Sequence, residues 1–325
     1  EVRWEDWRAA SRIGAEHVRK RIGSGPPFFV AGFSNGGALA VTYALDAMVN
    51  EQLPEPEQLL LFSPEIGISP FASIANSQKL LSFIPYFAKF KWLSIQPEYD
   101  PFKYNSFPKN AAQEAWELTD FLDKRVTAAH SAGLLKTFPG VLTFLSWQDS
   151  TVYTSATIHR LYSYLDNDDS ELVIFDVNRF DSLVPFIPAA NASPLLKLKA
   201  DANLPYRLTV ITNVSAESEE MAEKTKAPHT DVIESRSLDL MWPQGVYSLS
   251  HVAIPFPPDD PVYGAGRLVG SDYQGLPLGA LSPRGETRLL IAPVGQLMRL
   301  RHNPFFSYIE ARVDEEISES LYAVE

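Results

Sequence analysis

The chain has 325 residues, 45% of them hydrophobic and 21% charged, with a formal net charge of −12 and no cysteine. This is enough apolar material for one large domain with insertions or for two domains, while the acidic balance argues against a general nucleic-acid binder, because no basic cluster offsets repulsion from phosphate. Lack of cysteine excludes disulfides, cysteine metal sites and cysteine nucleophiles together, and no apolar run approaches the roughly 20 residues needed to cross a bilayer.

Residues 4–21 read as an amphipathic helix. Trp4, Trp7, Ala10, Ile13 and Val18 recur near helical spacing between charged residues, and Gly23, Gly25, Pro26 and Pro27 stop it. Phe28 to Phe33 is a nearly continuous apolar run, the pattern of a strand buried on both faces. A small-residue helix follows over 36–49, Pro54 and Pro56 break the chain, and 58–62 reads as a second buried strand. This alternation predicts a mostly parallel sheet with helical crossovers. Residues 65–137 interrupt the rhythm with aromatic, cationic and proline-rich segments, helical again over 111–132. They read as an insertion packed over the sheet, its aromatics serving either as core or as the apolar lining of a lid.

The sheet resumes with strands at 141–147 and 171–176 around a helix at 154–165. Beyond residue 178, "YRLTVITN" reads as a strand, "SAESEEMAEKTK" as an exposed helix and "HVAIPFPPDDPVYG" as a loop, since its prolines forbid regular structure. "NPFFSYIEARVDEEI" reads as a terminal helix with Asn303 as cap and Pro304 in the first turn. The acidic run "DNDDSE" lacks the glycine and distal glutamate of a calcium loop. "GAGRLVG" has the wrong spacing and no preceding strand for a dinucleotide site. Neither a metal nor a cofactor is expected.

The chemistry is concentrated in "FFVAGFSNGGALAVTYAL", residues 28–45. Gly-x-Ser-x-Gly alone is weak, but here a buried strand ends at Phe33, a turn carries Ser34, and a small-residue helix follows. That is the setting of a nucleophile elbow. The tight turn requires neighbours without bulk, here Gly32 and Gly36, while Gly37 and Ala38 allow the helix close to the sheet. The backbone N–H of Asn35 would then meet a developing oxyanion, helped by the helix N-terminus. The plainer reading is a glycine-rich turn with an idle serine.

Residues 1–64 and 138–178 resemble the second half of an α/β-hydrolase, nearest the monoacylglycerol-lipase and serine-aminopeptidase-like branch. The resemblance implies an α/β fold: a mostly parallel sheet flanked by helices, with a helical cap at 65–137. In "GVLTFLSWQDSTVYTSATIHRLYSYLDNDDSELVIFD" it makes Asp149 the triad acid and Val152 the hydrophobic residue behind it. A turn or capping aspartate is the plainer alternative. The family's usual histidine position, after "ELVIFD", holds Asn178, Arg179, Phe180 and Asp181 instead. Of the six histidines, His251 stands in an irregular loop and preserves the superfamily's Ser–Asp–His chain order; His229 is the alternative. On this reading residues 179–245 are an insertion before the histidine loop and C-terminal region, 246–325.

The resemblance implies a serine hydrolase acting on carboxylic esters, with a lipid or other apolar acyl substrate. A peptidase, an acyltransferase, or a non-catalytic binding or scaffold protein are the alternatives, and a homo-oligomer is left open. Only one helix precedes the elbow strand, so the early strands and their oxyanion loop are expected on an N-terminal companion segment. Later strands such as "YRLTVITN" and "RLLIAP" are the competing way to complete the sheet.

Overall fold

The computed structural model describes residues 2–67, 92–189, 191–196, 203–265, 276–282, 285–286, 288–292 and 297–322. The first part of the aromatic stretch, 68–91, and most of "GAGRLVG" lie outside the described residues.

Helix α1 (Trp4–Ile22) leads into strand β1 (Phe29–Phe33), helix α2 (Asn35–Ala47) and strand β2 (Gln58–Phe62). Acidic Glu5 and Asp6 in the first turn of α1 and basic Arg19, Lys20 and Arg21 in its last turn complement the helix dipole. A small ribbon, β3 (Trp92–Ser94) and β4 (Phe107–Pro108), precedes helix α3 (Lys109–Ser131). Strand β5 (Gly140–Ser146), the short helix α4 (Thr154–Thr157) and strand β6 (Glu171–Phe175) follow. Then come β7 (Arg207–Asn213), β8 (Glu220–Lys226) and β9 (Ile233–Met241). A second ribbon, β10 (Leu281–Ser282) and β11 (Arg299–Leu300), precedes the terminal helix α5 (Phe306–Tyr322).

The main sheet runs β1-β2-β5-β6-β7-β8-β9. Pairing from β1 through β7 is parallel, and β8 and β9 are added antiparallel. The continuous apolar runs are explained by burial on both faces. Leu59, Leu61, Val141, Leu145, Leu172 and Ile174 join one core with α2 and α3. Their neighbours Leu60, Leu142, Phe144, Val173 and Phe175 join a second core with Trp242, Phe305 and Ile309. Period-two alternation thus divides β2, β5 and β6 between two layers; β1, expected to be buried on both faces, is instead an edge strand of the described sheet, with Ala31 exposed and Phe29, Val30 and Phe33 only partly buried.

Four further expectations change. Residues 109–131 are a crossover helix of the core rather than part of a lid: Leu118, Leu122 and Val126 pack with Val41, Leu59 and Val141. "SAESEEMAEKTK" is not an exposed helix; its second half is β8, paired with β7 through six register partners. The span 179–245 is correspondingly not an insertion apart from the sheet, since it supplies β7, β8 and β9. "RLLIAP" is not a strand over its described residues, 288–292, and β7 extends the sheet beyond β6, at the far side from β1.

Among the described residues, the elbow strand β1 is the edge of the sheet. Along it an apolar groove of about 380 Å³ is lined by Ala15, Val18, Phe29, Ala31, Gly36 and Leu39, among others. On α2, buried Asp46 holds the helices together. Arg8 Nε and Arg12 Nε donate to its carboxylate at 2.7 and 3.1 Å, and Arg125 lies 3.5 Å away. Burial alone would raise the Asp46 carboxyl, but the hydrogen bonds and charges of Arg8 and Arg12 outweigh it and hold the group below its ordinary value.

Candidate active site

Ser34 stands between β1 and α2 with φ 54° and ψ −122°. A non-glycine residue there is strained by on the order of 1–3 kcal/mol and persists only where its surroundings over-determine it. They do: the Ser34 N–H donates to the Phe62 carbonyl at 3.1 Å, and the Ser34 carbonyl accepts from both Gly37 N–H and Glu65 N–H at 2.9 Å. The neighbouring strand ends the same way. Phe33 and Phe62 are register partners, and the residue after Phe62, Ser63, also has a positive φ of 41°.

The glycines divide into two kinds. A Cβ on Gly32 would lie 2.4 Å from the Gly36 carbonyl oxygen and 2.7 Å from the Gly37 nitrogen. One on Gly37 would lie 2.5 Å from Pro64 Cβ. Gly36, the second glycine of the motif, meets nothing within 4 Å among the described residues. Steric demand at the elbow therefore falls on Gly32 and Gly37. Gly36 lines the groove along the open sheet edge. Asn35 opens α2, so its N–H belongs to the helix's first turn, where no intrahelical acceptor exists.

Asp149 follows β5 in a turn that fixes its carboxylate. Oδ1 accepts from Thr151 N–H at 2.7 Å and from Val152 N–H at 3.0 Å, and Val152 is fully buried behind it. Oδ2 faces His251, whose Nδ1 lies 3.0 Å away. Both side chains are buried. An acid on Nδ1 sets the imidazole tautomer and leaves Nε2 as the nitrogen for proton exchange. The histidine loop is tied to the sheet by Ser146 Oγ donating to the Leu249 carbonyl and Ser250 Oγ donating to the Leu300 carbonyl, both at 2.9 Å. His251 is brought to the elbow by Phe33, the residue before Ser34, whose ring centroid is 5.0 Å from the imidazole's.

The position after β6 is filled structurally. Arg179 grips buried Asp176 with Nε at 2.6 Å and Nη2 at 2.8 Å, and Asn178 Oδ1 accepts from Asn213 Nδ2 and from the Phe180 N–H. His229 lies apart, half-exposed between Asn203 and Asp168.

Two carboxyls near the site escape a reading of the sequence. Glu286 accepts from the Ser150 hydroxyl and, at 3.2 Å, from the Ser150 N–H, with Arg299 3.6 Å from its other oxygen. Burial, reinforced by the charge of Asp149, pushes Glu286 above its ordinary value. Glu65 follows β2 and is partly buried. Burial pushes its carboxyl up to about 7, with the field of His251 pulling the other way. The only signal for Glu65 in the sequence is a carboxylate just past the C-terminal end of a buried parallel strand, where open α/β sheets place their ligands.

No protein-family model and no curated protein matches the chain. Among solved structures it is similar to a soluble variant of monoglyceride lipase from Saccharomyces cerevisiae, at 16% identity, over 53% of this chain and 59% of that one, with a TM-score of 0.34. An esterase domain from Rhodothermus marinus matches at 18% identity over 54% and 59% of the two chains, with a TM-score of 0.29. Est1E from Butyrivibrio proteoclasticus matches at 21% identity over 46% and 50%, with a TM-score of 0.26. The chain spans 50–59% of the length of these three structures. The mostly parallel sheet flanked by helices, with a strand–serine–helix elbow, is the architecture of the α/β-hydrolase fold.

Proposed function

We propose that the chain is the elbow-bearing part of a serine hydrolase that cleaves carboxylic esters with an apolar acyl group. The observation that supports it most is the buried Asp149–His251 pair, 3.0 Å apart, beside the elbow that holds Ser34 at φ 54°. Serine is a weak nucleophile until a base removes its proton. His251 Nε2 takes that proton as Ser34 Oγ attacks the ester carbonyl, and Asp149 stabilises the resulting imidazolium. The Asn35 N–H stabilises the oxyanion, a donation worth on the order of 10²–10³ in rate. His251 then gives the proton to the departing alcohol, and water, activated by the same histidine, releases the acid from Ser34.

One N–H makes half an oxyanion hole. The companion segment expected from the sequence would bring the second donor and pair with the open edge of β1, where the groove along α1 and α2 is apolar. The test is an intact-mass spectrum of the protein before and after a fluorophosphonate, with the modified peptide mapped. One adduct on Ser34, absent from Ser34→Ala, is the expected result. No adduct in the presence of a companion chain would overturn the assignment. The unreacted spectrum shows whether a second chain is present.

A further inference from the structure

The turn at Asp149 makes three backbone N–H donations, and they go two ways. Those of Thr151 and Val152 close back onto Asp149 Oδ1 at 2.7 and 3.0 Å. The third, from Ser150, leaves the turn. It donates to Glu286 Oε2 at 3.2 Å, and the Ser150 hydroxyl donates to the same oxygen. Glu286 is buried and lies 136 residues away in the chain. No step of the mechanism above uses it.

What holds Glu286 also holds the base. Its other oxygen lies 3.6 Å from Nη1 of Arg299. Arg299 and Leu300 are β11, and they pair with Ser282 and Leu281 of β10, shortly before Glu286. The Leu300 carbonyl accepts from Ser250 Oγ at 2.9 Å, one residue before His251. Leu249, on the other side of Ser250, accepts through its carbonyl from Ser146, at the end of β5. Followed in order, the contacts close a ring. It runs from Asp149 through Ser150 and Glu286 to β11, on through Ser250 to His251, and back to Asp149 across 3.0 Å. Leu249, Ile254 and Leu300 set the histidine side of this ring in the second core.

We propose that Glu286 is a positioning residue, which fixes the Asp149 carboxylate against His251 by anchoring Ser150 to the β10–β11 ribbon. Its catalytic consequence rests on the serine-hydrolase reading. A turn closed on its own carboxylate can still tilt as a body. The two Ser150 donations give it a fixed point outside itself, and that point belongs to the ribbon that also holds Ser250. Acid and base therefore share one support. The role asks an acceptor oxygen of Glu286 rather than a charge. Burial and the field of Asp149 already disfavour its ionised form, so an amide of the same shape should serve.

The experiment compares Glu286→Ala with Glu286→Gln, each in wild type and in the Asp149→Asn background, by the rate of fluorophosphonate labelling of folded Ser34. Glu286→Ala should slow labelling roughly 10- to 100-fold, the scale of a displacement of about 1 Å at a catalytic group. Glu286→Gln should recover most of that rate. Loss of the Arg299 ion pair would show in its denaturation midpoint instead. In Asp149→Asn the alanine change should have no further effect, because the group it positions is gone. A role in stability alone would act equally in both backgrounds. If Glu286→Ala does not fold, Ser150→Ala removes only the hydroxyl arm and should slow labelling roughly three- to tenfold, again without effect in Asp149→Asn. The His251 Nδ1–H proton resonance, identified by its loss in Asp149→Asn, should shift or broaden in Glu286→Ala and be kept in Glu286→Gln. Labelling by Glu286→Ala at the wild-type rate, losses that add fully to those of Asp149→Asn, or a glutamine variant as slow as the alanine one would each overturn the proposal. If wild-type Ser34 is inert to the reagent, the hydrolase reading falls, and the proton resonance alone decides whether Glu286 holds the Asp149–His251 bond.

Discussion

The two glycines of the Gly-x-Ser-x-Gly motif should respond to alanine with opposite signs. At Gly32 the new Cβ would sit 2.4 Å from the Gly36 carbonyl oxygen, 2.6 Å from its carbon and 2.7 Å from the Gly37 nitrogen. All three are backbone atoms, so no side-chain rotation relieves the clash. The first turn of α2 must move away from β1, and forced repacking of this kind costs roughly 1–3 kcal/mol, more where backbone must shift. The displaced groups are also those that fix Ser34, whose carbonyl holds the Gly37 N–H at 2.9 Å. Ser34 labelling should therefore fall along with stability. At Gly36 the added methyl meets nothing within 4 Å among the described residues, and the position is helical. Alanine there loses less chain entropy on folding and should be neutral or stabilising by up to about 1 kcal/mol. Chemical denaturation midpoints of the two variants, measured beside fluorophosphonate labelling rates, test the pair. Equal destabilisation by both, in the chain without a companion segment on the β1 edge, would refute the reasoning, because no described residue packs on Gly36. Wild-type stability for Gly32→Ala would refute the elbow geometry itself.

Other outcomes follow from the same contacts. Asp149→Asn removes the acceptor at His251 Nδ1 and should lower ester turnover by on the order of 10⁴-fold without unfolding the chain; a loss below tenfold in steady-state assays would remove Asp149 from the triad. His229→Ala touches a half-exposed side chain and should leave both activity and the denaturation midpoint within about 0.5 kcal/mol of wild type. Asp46→Asn removes the negative charge and one of the two acceptor oxygens shared by Arg8, Arg12 and Arg125 and should cost roughly 1–3 kcal/mol, less than a fully buried pair because the guanidiniums still reach water. Since the folded carboxyl lies below its ordinary value, its contribution is present above the unfolded pKa and fades as the pH falls through the folded one. Denaturation from near-neutral to acidic pH should show the gap between wild type and Asp46→Asn closing on the acid side.

Legibility in the sequence tracks how local each feature is. The elbow is contained in residues 28–45 and needs only a strand, a turn and a helix in succession, so it could be read from the sequence. Helix α1 and the terminal helix follow from periodicity, and β2, β5 and β6 from continuous apolar runs left by burial on both faces; β1 shows the same run, but it is an edge strand whose residues are mostly half-buried. β8 was hidden: "SAESEEMAEKTK" is rich in helix formers, yet its second half pairs with β7, and burial of Met221 and Ala222 against the sheet outweighs weak local preference. Residues 109–131 read correctly as a helix but not as core, since which helix covers which face is set by chain paths that periodicity does not encode.

The site residues show the same gradient, and it explains why Glu65 was invisible. Ser34 is announced by its neighbours, whereas Asp149 was reached only through the resemblance of its segment; in the structure its carboxylate accepts from Thr151 and Val152 N–H. His251 is 102 residues from its partner, and only its irregular loop and the chain order pointed to it. Glu65 has no motif. Its meaning comes from the parallel register of β1 and β2, which aligns Phe33 with Phe62 and so makes the two strands turn sharply side by side. One of those turns carries the serine; the other brings the backbone N–H of Glu65 onto that serine's carbonyl. A residue placed by register alone is free to vary in chemistry without disturbing the elbow.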